Sequence, residues 1–484
     1  MKVFGKSGNE ILVLALPRET VSQGEYLLIE DVSNRSKMVV QVFNETYLDV
    51  PGLEEEIVRD QVMEASIKGA EHDPYEIKSV SSLIRDSRLL HCKARGIIKN
   101  GKFRTSHDWL PSRVNSKVSK ISLKELFDTV GRQGRRSIEL GKGKSGEDFE
   151  ILAENIDGRL NIITGKKESG KSHLAKMLSS SLVELGCFVF VFDINDEYGS
   201  LDVKKNGEQS SISSRLVRLV PGESMKFDLE YVGLRSMTSI LQHTLDLPGA
   251  SLREFIRIWE HLNKEDQLTM EELGQAISMW RANDFVKDAL FARYHTLLSS
   301  KLFAREGERS MHFEDIIAKF PKGALIVISL AHIPSHARRI TVEFMLSKLV
   351  DLLEKRKIPP VFLFAEEAHL YLRETHWDEI VTRMRHFGIF TTFITNQPDA
   401  LGGGVYRQAD NVFLFNFTND ADLELISKAT TADAETIKAI VRMLPPRNCM
   451  ALGKVVSDLP VVLEVKESQL FTKGETRLFF GSDN

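Results

Sequence analysis

A layered α/β fold built on a largely parallel sheet, with a helical insertion and a small all-β module at its N-terminus, is what this 484-residue sequence predicts. Three observations carry that expectation. Strand-sized apolar runs alternate with helical patterns from about residue 151 onward, strands vanish between about residues 227 and 320, and the first hundred or so residues read as short strands punctuated by turns.

The N-terminal strands are expected at Glu10–Ala15, Glu25–Glu30, Ser36–Phe43 and Leu89–Lys99, with Gly24, Asn34 and Asn100-Gly101 marking turns between them. That spacing predicts a small β-barrel over residues 1–120, interrupted by a charged, helical-looking stretch from Leu53 to Ala70 and closed near Pro111. Residues 121–150, rich in Lys, Arg and Gly, read as a linker. Its Arg132, Arg135 and Arg136 have two open readings, a solvated connector or a phosphate-contacting arm.

Residues 151–484 carry the α/β pattern. Leu160–Thr164, Phe188–Asp193, Ala324–Ser329, Val361–Ala365, Phe390–Thr395 and Asn411–Phe417 are nearly continuous apolar or β-branched runs, as parallel strands covered on both faces require. Helical patterns at Ser172–Leu185 and Ile340–Lys355 lie between strands and imply right-handed βαβ units. The helical insertion, about residues 227–320, shows Leu241, Phe255, Ile258, Trp259 and Leu262 at helical spacing. No internal repeat or low-complexity tract interrupts the pattern.

Composition narrows the functional classes. Apolar residues at 42% and charged residues at 27% describe an ordinary globular chain of two or three domains. A formal charge of −4 and a pI near 6.4 exclude a global basic footprint, so any nucleic-acid surface must be local or assembled between subunits. Cys92, Cys187 and Cys449 lie too far apart for a zinc site or a disulfide framework and suit a reducing compartment. The apolar stretch Ile11–Leu16 is too short for a signal sequence, and no run approaches the roughly 18 residues that span a bilayer. The expectation is a soluble, cytoplasmic protein without membrane contact.

The chemistry begins at Asn161-Ile162-Ile163-Thr164-Gly165-Lys166-Lys167-Glu168-Ser169-Gly170-Lys171-Ser172, an apolar strand running into GxxxxGK[ST] and then a helix. This is a P-loop for Mg-ATP. Gly165 and Gly170 let the backbone wrap a phosphate, Lys166, Lys167, Glu168 and Ser169 form the loop interior, and His173 extends the nucleotide-binding segment into the helix. Lys171 is expected to reach the β- and γ-phosphates and Ser172 to ligate Mg2+. The strand Pro360–Ala365 ends in Glu366-Glu367, the first carboxylate suited to the magnesium shell and the second to deprotonating the attacking water. Gln397, at the tip of the next strand, is expected at the γ-phosphate and lytic water. His369 has two open readings, a reporter of nucleotide state or a locally packed histidine. Asp193 and Glu197 likewise belong either to this site or to a structural turn, and Gly402–Gly404 reads as a flexible loop.

Taken in order, these residues resemble the HerA family, within the HerA/FtsK group of ring-forming DNA-translocating ATPases. The resemblance rests on Val21–Glu30 of the β module, the P-loop, Asp193…Glu197-Tyr198, Glu366-Glu367-Ala368-His369, Arg385-His386-Phe387-Gly388, Thr395-Asn396-Gln397-Pro398 and Leu444-Pro445-Pro446…Gly453, and it spans nearly the whole chain. It implies a RecA-like core, a HAS-barrel-like N-terminal module and a homohexameric ring translocating DNA, with a NurA-like nuclease or another effector as partner. It also nominates Arg159 and Arg385, either of which would reach the γ-phosphate of a neighbouring subunit. The chain departs from the family where Lys166–Ser169 replace smaller residues and where Glu366 replaces the Asp common in related translocases. Two other functions are compatible with the same core: a ring scaffold regulating an effector in an antiviral defence complex, and a secretion or conjugation ATPase.

Overall fold

In the computed structural model the described residues are 1–7, 10–31, 36–48, 86–105, 109–132, 134–370, 384–428, 430 and 432–472. They form two compact units, residues 1–151 with 414–466, and residues 152–413 with those from 467. The expected turn at Asn34 and the expected helix over Leu53–Ala70 lie outside the described residues.

The first unit opens with strands β1 (Lys2–Ser7), β2 (Glu10–Ala15), β3 (Tyr26–Asp31), β4 (Ser36–Tyr47), β5 (Arg88–Lys99), β6 (Lys102–Arg104) and β7 (Ser116–Lys120). They make one antiparallel sheet in the order β1-β2-β5-β4-β3-β7, with β6 on β5. Alternation along β2 turns Ile11, Val13 and Ala15 inward, where they join Leu27, Ile29, Val40, Val42 and Leu90 in a single core. The short strands β1, β6 and β7 were not legible as sequence patterns.

The linker expected over residues 121–150 is replaced by ordered structure, a helix α1 (Leu123–Val130) and strands β8 (Ser137–Gly143) and β9 (Asp148–Leu152). Ser122 caps α1 by accepting from Glu125 N, and Gly131 ends it at φ 77°, a left-handed conformation that favours glycine. Ile138 and Leu140 on β8 and Phe149 and Ile151 on β9 are buried at a spacing of two, a pattern the abundant Lys and Gly residues disguised. Arg132 fits neither open reading. Its guanidinium lies 3.3 Å over the Phe127 ring, Nη1 donates to Glu150 O at 2.8 Å, and burial holds its pKa down to about 10.

The second unit contains β10 (Asn161–Thr164), α2 (Lys171–Glu184), β11 (Phe188–Asp193), β12 (Leu216–Leu219), α3 (Leu229–Ser239), α4 (Gly249–Lys264), α5 (Met270–Met279), α6 (Asp284–Ser299), α7 (Phe313–Lys319), β13 (Ala324–Ser329), α8 (Ser335–Glu354), β14 (Val361–Ala365), β15 (Ile389–Thr395), α9 (Gly402–Gln408) and β16 (Asn411–Leu414). Its strands run in the order β12-β13-β11-β14-β15-β10-β16, and those from β12 to β10 pair in parallel. Every residue of β11, β13 and β14 is buried, so these strands show apolar runs instead of alternation. β12 escaped the sequence reading because it is a four-residue edge strand with only Leu219 buried. Gly402–Gly404, expected as a flexible loop, instead begins α9, which the buried Val405 and Tyr406 anchor.

Between residues 229 and 299 the regular structure is all helical, α3 to α6 joined by short loops, with a break at Gly233 (φ 76°) and a π-helical turn at Ile240–Thr244. Phe227 packs against Phe313 and Phe344, with ring centroids 5.3 and 4.5 Å away. Among the described residues, no helix is long and apolar enough to cross a membrane.

The chain then returns to the first unit with α10 (Asp420–Ser427), α11 (Ala434–Val441), β17 (Asn448–Gly453) and β18 (Val461–Val465). β18 pairs antiparallel with β17 and β8. Tyr26 Oη donates to Pro460 O at 2.7 Å and Gln41 Nε2 donates to the same carbonyl at 2.8 Å, tying this late segment to β3 and β4. An acidic residue at 464 and basic ones at 93 and 95 leave the unit mixed in charge, and Lys93 bridges to Glu435 at 2.9 Å.

Leu363, 1% exposed in the middle of β14, tests how much the central sheet depends on close packing. Leu363→Ala is expected to cost about 2–5 kcal/mol, the transfer loss plus the cavity left between neighbouring strands. A thermal unfolding midpoint unchanged from wild type would contradict that packing.

Candidate nucleotide site

All the parallel strands of the second unit end at one edge, and there the chemistry gathers. β10 pairs with β15 in the register Thr164↔Thr395, and Thr164 Oγ1 donates to Thr395 O at 3.0 Å. The loop from Gly165 to Gly170 therefore leaves the sheet beside the segment that carries Gln397.

Gly165 and Ser169 are buried, whereas Lys166, Lys167 and Glu168 form an exposed crest. Gly170 caps α2 at φ 113°, ψ 8°, and Glu168 takes φ 62°, so two left-handed residues fold the backbone back on itself before the helix starts. A glycine-bounded turn of this kind at the start of a helix is the backbone arrangement that favours a phosphate. Ser172 and His173 follow in the first turn. Lys171 is only 6% exposed, and its Nζ donates to Lys166 O at 2.8 Å, spanning the loop. Burial lowers the lysine's pKa, and the Glu367 and Glu366 carboxylates oppose that shift. Both acids thus act electrostatically on the loop lysine.

Glu366 ends β14 and is 2% exposed. Tyr198 Oη donates to its Oε1 at 2.5 Å. Burial pushes Glu366 up to about 7, against the lowering effect of the Tyr198 hydrogen bond. Lys176, one turn along α2 from Ser172, forms an ion pair with Glu197 and lies 5.8 Å from the Tyr198 ring centroid. Asp193 is fully buried and its carboxylate accepts the N–H groups of Glu197 and Tyr198 at 3.0 and 2.9 Å. Of its two readings the structural turn is the one these bonds describe, and the turn delivers Tyr198 to Glu366.

Glu367 is half-buried and has φ 46°, an unusual backbone for a non-glycine residue at the tip of a strand. His369 Nδ1 stands 3.3 Å from Glu367 Oε2 and 3.1 Å from Thr395 Oγ1, and that hydroxyl also accepts Gln397 N at 3.0 Å. His369 therefore links the tips of β14 and β15. Gln397 itself is exposed.

Arg159 and Arg385 lie elsewhere. They precede β10 and β15, at the edge opposite the P-loop, and each guanidinium is 3.8 Å from the Asp410 carboxylate. Tyr198, Lys176 and Asp410 were not nominated as site residues from sequence. Tyr198 was visible only as part of a motif, and nothing in the pattern around Asp410 marks it.

The central part of the chain, residues 163–349, matches the family model described as "Helicase HerA, central domain". The chain is 23% identical over 358 residues to the DNA double-strand break repair helicase HerA of Saccharolobus solfataricus, covering 65% of this chain and 67% of that protein. To the protein of the same name from Sulfolobus acidocaldarius it is 21% identical over 483 residues, covering 93% of this chain and 90% of the relative. Through this central domain and these two relatives the chain resembles the HerA family. The chain also shares its fold with the bacterial conjugative coupling protein TrwBdeltaN70, with a TM-score of 0.53 at 12% identity, over 74% of this chain and 94% of that one. A second likeness is to the plasmid coupling protein TrwB in complex with the non-hydrolysable ATP analogue ADPNP, with a TM-score of 0.52 at 12% identity, over 74% of this chain and 95% of that one. Both are similarities of fold at low identity.

The raised pKa of Glu366 has a consequence for stability. Below about pH 4 the carboxyl is protonated folded or unfolded; as pH rises from there to about 7 the unfolded chain ionises while the buried acid stays protonated, and the folded state loses up to about 3 kcal/mol relative to acid conditions. In nucleotide-free protein, Glu366→Gln removes that loss. The variant's melting temperature relative to wild type is therefore expected to be higher at pH 8 than at pH 5, and a difference independent of pH would refute the buried acid.

Proposed function

We infer that this chain is an ATP-driven DNA translocase working as a ring, and the observation that carries the reading is the convergence of the P-loop, Glu366, Glu367 and Gln397 at one edge of the sheet. The relatives' name, DNA double-strand break repair helicase, supports DNA as the substrate moved and end processing as the setting.

In this reading the backbone of residues 165–172 and Lys171 hold the triphosphate, and exchange of the Lys166 carbonyl for phosphate oxygen frees Lys171 to face the ligand. Hard oxygen donors at Ser172 and the neighbouring carboxylates fit Mg2+, which takes one or two protein oxygens and otherwise phosphate and water. Ser172 would hold the ion directly and Glu366 through its shell, where the bound ion neutralises charge on the phosphates. Glu367 takes the proton from the attacking water, oriented from one side by His369, and Gln397 contacts that water and the γ-phosphate. Arg159 and Arg385 are too far from their own loop to serve it, because the strand between Arg159 and Gly165 spans about 20 Å at about 3.3 Å per residue. They serve the next subunit's nucleotide.

The family resemblance extends this reading to a homohexamer threaded by DNA. A ring concentrates basic groups from every subunit into one channel, which is how a chain of net charge −4 binds a polyanion. The antiparallel N-terminal sheet is read as a HAS-barrel-like module that docks a NurA-like nuclease.

ATP turnover by the purified protein is expected to rise on adding duplex DNA and to fall steeply with salt. Glu367→Gln should lower kcat by roughly 10²–10⁴-fold while nucleotide still binds, and Lys171→Ala should weaken binding itself. DNA-independent turnover, with no DNA binding at low salt, would sink the translocase reading.

A further inference from the structure

Asp410 sits where β16 begins, beside the start of β10. Two backbone bonds fix it there: Asp410 N donates to Leu160 O at 2.9 Å, and Leu160 N donates to Asp410 Oδ2 at 3.0 Å. The carboxylate is thereby locked to the first residue before β10, and its orientation is set by main chain rather than by a flexible side chain.

Two cations converge on this fixed anion. Arg159 Nη1 is 3.8 Å from Oδ1 and Arg385 Nη1 is 3.8 Å from Oδ2, so each oxygen faces one guanidinium. The arginines come from different strands, β10 and β15, that are neighbours in the sheet. Two guanidiniums on one carboxylate carry a net charge of about +1 and repel one another without the carboxylate between them. The ion pairs are long, each at the outer limit of a contact, and the buried Nε of Arg159 has no hydrogen-bond partner among the described residues. A guanidinium has five donors in a planar fork, and among the described residues the contacts in this cluster engage few of them. A pair held this way is oriented but unsaturated, the state in which a further anion adds favourable contacts without first breaking strong ones.

We propose that Asp410 is a positioning residue that holds Arg159 and Arg385 as a pair and presents them to the phosphates of a neighbouring subunit's nucleotide. The proposal rests on the reading that these arginines act in trans. It adds a device: the carboxylate cancels their mutual repulsion, and its backbone lock ties their placement to the sheet that carries the P-loop of the same chain. A shift of β10 on nucleotide binding would move both arginines with it.

Asp410→Asn keeps an oxygen for Leu160 N and removes the charge. Alone, it is expected to lower kcat for ATP at least about tenfold with KM changed less than about twofold, since the variant's own P-loop is intact. The decisive experiment co-expresses Asp410→Asn with Lys171→Ala, each with its own tag, and captures rings through both tags in turn. A Lys171→Ala subunit contributes no active loop but keeps its arginine pair, so it should restore turnover in an adjacent Asp410→Asn subunit. Random assembly would give about a quarter of wild-type turnover per subunit, well above either parent.

An Arg159→Ala/Arg385→Ala double variant, mixed with Lys171→Ala in the same way, separates the two levels. If neither mixture recovers activity, the trans reading fails and the proposal with it. If the double variant is rescued but Asp410→Asn alone turns over like wild type, or stays inactive in its mixture, then Asp410 does not position the pair. A merely structural role for Asp410 predicts that last pattern, because a damaged fold is not repaired by a healthy neighbour.

Discussion

The parallel pairing of β10 with β15 is the constraint on which the nucleotide site depends. Thr164 stands opposite Thr395, and a hydrogen bond between them fixes the register at the strand ends. In a parallel sheet every strand delivers its C-terminal residues to the same edge, so this register alone brings the P-loop beside Gln397 and, through β14, beside Glu366 and Glu367. A slip of one residue would turn Thr164 to the other face and separate the loop from its partners. Burial makes such a slip costly, because every residue of β10 is buried and the adjacent Ile162 and Ile163 occupy opposite faces.

The same edge concentrates charge in a poorly solvated space. Glu366 is nearly inaccessible, Lys171 is almost as buried, and Lys176 pairs with Glu197 beneath them. Ionised groups so placed are tolerable only when each has a partner. Tyr198 serves this purpose for Glu366 without adding charge, and Asp193 holds Tyr198 in place through two backbone N–H groups. The glutamate reaches this tyrosine from the strand end.

Much of this was legible in the sequence. The central strands β11, β13 and β14 were placed to the residue because strands covered on both faces must be apolar without interruption, and because Gly186, Gly323 and Pro360 bound them sharply. The P-loop and the paired acids were legible because phosphate binding restricts residue type at fixed spacing. What escaped depends on partners distant in sequence. The region of α1, β8 and β9 reads as a connector until Ile138, Leu140, Phe149 and Ile151 are seen to be buried, and β12 is too short and exposed to carry a period. The role of Tyr198 depends on a contact 168 residues away, and that of Asp410 on one 250 residues away, which no local pattern records.

The two edges of the sheet differ for a reason of chain direction. Where strands end and helices begin, N–H groups and helix dipoles favour anions; where strands begin, helix C-termini carry partial negative charge, which favours a displayed cation and disfavours the subunit's own nucleotide. Arg159 and Arg385 lie at this second edge, separated from Lys171 by the length of β10. A subunit built this way has a phosphate-binding face and a guanidinium-bearing face that cannot meet within one chain. In the proposed ring, head-to-tail association is what would bring them together, and a heterologous contact of that kind closes into a ring when its rotation permits. The separation imposed by one strand is therefore what the proposed trans site explains: in that reading hydrolysis is coupled to the placement of the neighbouring subunit.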